Sequence, residues 1–194
     1  MKLAVTIGII VGIIIGIVIF LVAYSYSQIQ VNLIDASLAE IDWTPTTLSD
    51  LIKLGLNALS GNWISAALSL ITGIKVNLIF GLGNHGVIPV YIPDLSYSLF
   101  INGVNVGQGQ SMVDTTINPG ETKQLPVIQD FKSTSFEPVL SSLVSTNGMM
   151  ELKINGTAYF KLLGITIPVQ FQSTKEISLA DEIKKHFSDV TQHQ

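Results

Sequence analysis

From Leu3 to Tyr24 the chain reads LAVTIGIIVGIIIGIVIFLVAY, with no charged residue. At 1.5 Å per residue this stretch, as a helix, reaches about 33 Å, against a hydrocarbon core of roughly 30 Å. Backbone groups in lipid must bond internally, so a helix is the form open to it. No face of the segment is polar, unlike a helix buried on one side of a soluble domain. Composition agrees: 47% of residues are hydrophobic and only 12% charged, the latter about half the share of a soluble domain. The expectation is a transmembrane anchor over residues 1–25. The other reading is a cleaved signal peptide. Its apolar region runs to about 7–15 residues, shorter than this one, but Ala23-Tyr24-Ser25 fits a small-x-small cleavage pattern.

The flanks orient the segment. Lys2 and the terminal amine precede it, the first charge after it is Asp35, and the next lysine is Lys53. The positive-inside rule then predicts a single-pass protein with a cytoplasmic N-terminus and an extracytoplasmic C-terminal domain. Asn155-Gly156-Thr157 is an acceptor sequon compatible with that placement. Tyr24 and Tyr26 fall where an aromatic belt meets membrane lipid. Gly8, Gly12 and Gly16 share one helix face at four-residue spacing. Such spacing lets two membrane helices approach and form a homo-oligomer, although glycine is also simply common in these helices.

Beyond the anchor, period-two alternation dominates. Ile29, Val31 and Leu33 alternate with Gln28, Gln30 and Asn32; Ile74, Val76, Leu78 and Phe80 alternate with Lys75 and Asn77; Leu95, Tyr97, Leu99 and Ile101 repeat the pattern. Asn102-Gly103 is a two-residue hairpin turn, because both residues tolerate positive φ. Asn118-Pro119-Gly120 and Leu163-Gly164 mark further turns, and residues 131–147 read as a loop with a short helix around Pro138 to Val144. About seven strands at this spacing predict a mainly β fold, an antiparallel sandwich spanning residues 26–177.

Residues 43–73 interrupt the pattern. Pro45 stops the strand, Thr47 opens a helical stripe of Leu48, Leu51, Ile52, Leu56 and Leu59, and Gly61-Asn62 separates it from a second helix, Trp63 to Ile71. We read an inserted helical hairpin that packs on the neighbouring sheet. In a bolder reading it lies in the membrane interface with Trp63 at headgroup depth. After Ile177, Ser178 caps a short amphipathic helix, and residues 178–194 form that helix and a polar tail.

The run GLGNHG, Gly81 to Gly86, fits G-x-G-x-x-G. A dinucleotide site needs a strand before this pattern and a helix after it, whose N-terminus holds the pyrophosphate. The strand is present; the sequence after Gly86, VIPVYIPD, opposes a helix. We therefore expect no nucleotide, an irregular bend at the glycines, and a solvated His85.

The run NHGVIPVYIPDLSYSLFINGVNVGQG, Asn84 to Gly109, resembles the LEA14-like, or LEA type 2 (WHy domain), family, in its membrane-anchored prokaryotic form. That family follows an Asn-containing turn, often Asn-Pro-Asn, with an extended Ile-Pro-Val stretch and a hairpin through Ile-Asn-Gly-Val. Here Asn84-His85-Gly86 stands at the turn. ELKINGTAYFKLLGITIPVQF, Glu151 to Phe171, resembles the closing hairpin. The similarity runs from about Ile29 to Ile177, without the insertion. It implies an immunoglobulin-like or fibronectin-like sandwich, an association with stress or desiccation, and no catalytic residues.

The residues agree with the last point. There is no cysteine, and every basic residue is lysine, so bidentate phosphate recognition has no suitable side chain. A net charge of −4 argues against nucleic-acid partners. His85, His186 and His193 have no metal-site spacing, and His186 with Asp189 reads as a solvated pair. Glu40 and Asp42 share one side of a strand and are expected to be a solvated strand end rather than a cation site. We expect no enzyme, catalytic residue, metal or cofactor. Three roles fit the sequence: stress protection or interaction at the cell envelope; lipid or apolar-ligand binding, favoured by the many apolar residues of 43–73; and a cell-surface assembly subunit, its protein partner unknown.

Overall fold

The computed structural model describes residues 2–44, 63–132, 137–162 and 164–181. Helix α1 spans Lys2–Ser27, followed almost at once by strand β1, Ile29–Trp43. A short helix α2, Trp63–Leu68, precedes β2, Ile71–Asn84, and then β3, Val90–Ile101, β4, Val104–Ile117, and β5, Glu121–Lys132. A 3-10 turn at Glu137–Val139 leads into α3, Leu140–Ser145; β6, Met149–Leu162, and β7, Ile165–Ser178, complete the order. The fold is mostly β: a three-stranded sheet ordered β1-β2-β5 and a four-stranded sheet ordered β4-β3-β6-β7. Every pairing is antiparallel.

The alternation read from the sequence explains this division. Val76, Leu78, Phe80 and Leu82 of β2 are buried, as are Leu95, Tyr97, Leu99 and Ile101 of β3 and Leu152, Ile154, Ala158 and Phe160 of β6. They form one core cluster drawn from both sheets. At its centre the Phe80 ring meets Tyr97 at 5.4 Å and, edge-on, Phe171 of β7 at 5.8 Å. Such aromatic contacts add about 0.5–1.5 kcal/mol each beyond area burial. The Tyr97 hydroxyl donates to Gln129 Oε1 of β5 at 3.2 Å, tying the four-stranded sheet to the other. Burial pushes this phenol up to about 12.

The turns match their sequence signals. Asn102 and Gly103 have φ of 48° and 82°, and Gly120 and Gly164 are also left-handed. Asp181 N–H donates to Ser178 Oγ at 3.2 Å, so the expected cap is in place. The rest of the C-terminal helix, with the His186–Asp189 pair and His193, lies outside the described residues. So does the first helix of the insertion, Thr47 to Ser60.

One expectation needs correction. Ile71 does not end the second inserted helix; that helix stops at Leu68, and Ile71 already pairs with Trp43 in the ladder. Thr44 N–H donates to the Leu70 carbonyl at 2.7 Å, closing the base of the insertion. The side chains of Glu40 and Asp42 are exposed at the strand end, where Lys75 Nζ lies 2.6 Å from Glu40 and 3.9 Å from Asp42, and the Glu40 hydrogen bond holds the lysine above its ordinary pKa. The Asn155 sequon sits mid-strand in β6, paired on both sides.

Candidate functional site: the junction of helix and sheets

Two polar residues are fully buried among the described residues, Ser25 and Asn84, and both lie where α1 meets the sheets. Helix α1 ends by local bonds: Ser27 Oγ donates to the Tyr24 carbonyl at 2.7 Å, and Gln28 N–H to that of Ser25 at 3.2 Å. The chain then enters β1 without a linker. Ser25 Oγ accepts from Val87 N–H at 3.1 Å, and Val22, one turn earlier, packs against the core.

Asn84 organises the facing loop. Its Nδ2 donates to the carbonyls of Ile88 at 2.9 Å and Ile117 at 3.0 Å, while its Oδ1 accepts from Gly86 N–H at 3.0 Å. The Asn84 carbonyl accepts from Gly120 N–H at 2.7 Å, and His85 N–H donates to the Gln28 carbonyl at 3.1 Å. One asparagine thereby joins the end of β2, the loop to β3, and the turn between β4 and β5. At that turn Glu121 accepts from Asn118 N–H at 2.8 Å, which holds its carboxyl below the usual range.

This geometry revises the reading of the glycines. Gly81 and Gly83 are in paired strand, not in a bend. A Cβ on Gly81 would stand 2.5 Å from Asn32 Oδ1, and one on Gly86 would stand 2.7 Å from Ser25 Cα. Close approach, not turning, requires glycine at both. The bend is confined to the residues after His85, which is exposed as expected, and the chain continues into β3 rather than a helix. No pyrophosphate cradle forms.

The remaining predicted residues lie apart. Tyr24 and Tyr26 are each 42% exposed at the end of α1, Tyr24 stacked on Phe20 at 6.4 Å. A Cβ added at Gly8, Gly12 or Gly16 would meet nothing within 4 Å, so that face is open. Trp63 begins α2 at the opposite end of the β1–β2 hairpin, roughly 45 Å along the strand by its rise per residue, so it is not brought together with the tyrosines. In α2, Ile64, Ala67 and Leu68 are buried in the core and close that end of it. The sequence reading missed Ser25, which looked like any small residue after an apolar run. The signal for Asn84 was present in the Asn-His-Gly turn.

The arrangement defines a class: a two-sheet β domain carried directly on one exposed apolar helix. Thr6–Ser27 contains an 18-residue window of mean hydropathy 3.1 with none of that window buried, enough by length and composition to cross a membrane. Residues 81–175 match the family model for late embryogenesis abundant protein, LEA_2, so the chain carries a LEA_2/WHy-like domain. No curated protein matches the chain. Among solved structures, a protein from Archaeoglobus fulgidus is similar at 12% identity and TM-score 0.45, covering 76% of this chain and 97% of its own. One from Arabidopsis thaliana is similar at 10% identity and TM-score 0.49, covering 77% and 84%. The matched family is non-enzymatic; this chain has no cysteine, and no His, Asp or Glu group among the described residues is arranged to hold a metal ion.

Proposed function

We propose that this is a single-pass membrane protein, a membrane-anchored prokaryotic member of the LEA14-like group, that holds a stress-protective domain at the outer surface of its membrane. Residues 1–25 are the anchor, 26–177 an immunoglobulin- or fibronectin-like sandwich with its insertion at 43–73, and 178–194 the C-terminal helix and tail. The N-terminus is cytoplasmic and the domain extracytoplasmic. Tyr24 and Tyr26 lie at the headgroups.

One observation carries the reading: an apolar helix long enough to cross a bilayer runs without linker into Ser25, which is locked to Val87. A domain so joined stays against the lipid surface, where protection of the envelope during water loss is needed. A cleaved signal peptide fits less well. Cutting after Ser25 would free a buried residue and the half-buried Val22 from the domain they pack on.

The test is alkaline carbonate extraction of cells making the full chain, followed by protease treatment of intact cells. The expected result is retention in membranes with the N-terminal residues present and the domain accessible to protease. Recovery of intact chain in the aqueous fraction would remove the proposal.

A further inference from the structure

The outer face of the four-stranded sheet carries two complete cross-strand rows without charge. In the first, Gln108, Ser98, Asn155 and Gln172 stand side by side across β4, β3, β6 and β7. In the second, one step along, stand Gln110, Ser96, Thr157 and Gln170. The rows line two adjoining troughs of about 480 Å³ and 440 Å³ that share Asn155, Gly156 and Thr157. A third, of about 490 Å³, continues past Gln110 to Tyr91 and Met112. All three are open along the sheet surface, a shape suited to an extended chain.

The troughs are bounded as well as lined. Phe100 and Lys153 pair at one end, and Asp94 and Tyr159 at the other. Met112, beside Asp94, is 86% exposed. The core side shows why the sheet accommodates this face. A Cβ on Gly109 would strike the Tyr97 ring, and one on Gly156 the Phe171 ring. Glycine on two strands therefore lets the large inner rings lie flat against the sheet.

We propose that this face binds a neutral saccharide chain. Amides and hydroxyls each offer donors and acceptors, which matches the alternating donors and acceptors of vicinal sugar hydroxyls. The two rows themselves carry no charge to pull on phosphates or carboxylates; Lys153 stands at one end and Asp94 at the other, with Asp114 lining the third trough, and beside them Phe100, Tyr159 and Met112 match the C–H faces of sugar rings. The rows are also unspent internally. Their one side-chain hydrogen bond among the described residues is a long one, from Ser96 Oγ to the Thr157 carbonyl at 3.5 Å. Asn155 Oδ1, at the centre, is buried and has no partner. An unmet buried acceptor costs free energy, and valine would suit a paired strand better. Turned outward, the Asn155 amide can meet a ligand hydroxyl.

The experiment uses the full chain in lipid nanodiscs free of glycoside detergent. Maltohexaose, cellohexaose and chitohexaose are titrated by calorimetry and followed by saturation-transfer NMR, with Asn155→Val and Gln108→Ala compared with Ile128→Ser on the other sheet. At least one hexasaccharide is expected to bind, with affinity unchanged between low and high salt. Asn155→Val and Gln108→Ala should weaken it about tenfold or more, while Ile128→Ser leaves it unchanged. Asn155→Val should melt no lower than the parent protein, so its loss of binding is not a loss of folding. Absence of binding by the folded parent protein to all three sugars overturns the proposal. So does binding that survives both substitutions, or binding abolished by salt.

Discussion

Ser25, in the last turn of the apolar helix, accepts a hydrogen bond from Val87 N–H at 3.1 Å across 62 residues of sequence. With Gly86 pressed against Ser25 Cα, helix and sheets share a joint rather than a tether.

Gly86→Val tests that joint. Its Cβ would fall 2.7 Å from Ser25 Cα and 2.8 Å from Ser25 Cβ, close to backbone that cannot swing aside. We expect a loss of about 2 kcal/mol, a lower Tm, and new protease cleavage between Ser25 and Ile29. An unchanged digestion pattern would show that the joint is not tight.

Asn84→Ala removes three side-chain hydrogen bonds and strands the Ile88 and Ile117 carbonyls and Gly86 N–H. At about 1–3 kcal/mol per buried group left unmet, the expected loss exceeds 3 kcal/mol by chemical denaturation. Asn84→Asp keeps the acceptor and loses both donors, so it should not rescue the fold. A loss below about 1 kcal/mol would mean that the loop closes without it.

Phe80→Ala should cost about 3–5 kcal/mol, the usual range for a buried phenylalanine. Because Phe80 touches both Tyr97 and Phe171, the double substitution with Phe171→Ala should cost less than the sum of the two. Strict additivity would contradict the shared ring cluster.

Tyr97 sets an alkaline limit. Its neutral form is favoured in the fold, where burial raises its pKa from 10.0 to about 12. Its contribution is complete below pH 10 and is lost as pH rises toward 12, by at most about 1.4 kcal/mol per unit. Tyr97→Phe should lose about 1 kcal/mol at neutral pH with the Gln129 bond, yet show a shallower decline above pH 10. Equal slopes in the two proteins would refute the assignment.

Gly8, Gly12 and Gly16 bear on self-association. If this open face joins two helices, Gly12→Ile should abolish cross-linked dimers in membranes while leaving monomers at normal abundance. Monomers alone in the parent protein would dismiss the contact.

Much of the β architecture was legible because it is local. Val76, Leu78 and Phe80 alternate with Lys75 and Asn77, and a period of two reports a strand with one buried face whatever lies opposite. Asn102-Gly103 announced its turn because the left-handed backbone favours those residues. The same logic misled at Gly81 and Gly83, where a bend was inferred and both residues lie in paired strand. At Glu40 and Asp42 it could not name their partner, since Lys75 comes from another strand.

The candidate sites were less legible. Nothing in Ser25 predicts Val87, and nothing in Gln108 predicts that Ser98, Asn155 and Gln172 stand beside it. Periodicity and the length of an apolar run depend on residues a few positions apart, so the sequence alone determined the strands, the turns and the long apolar helix. Which sheet each strand joins, which glycine faces which ring, and which amides share a row depend on pairing between distant segments. The tertiary structure decided those, because that pairing is settled by burial and ladder geometry over the whole chain.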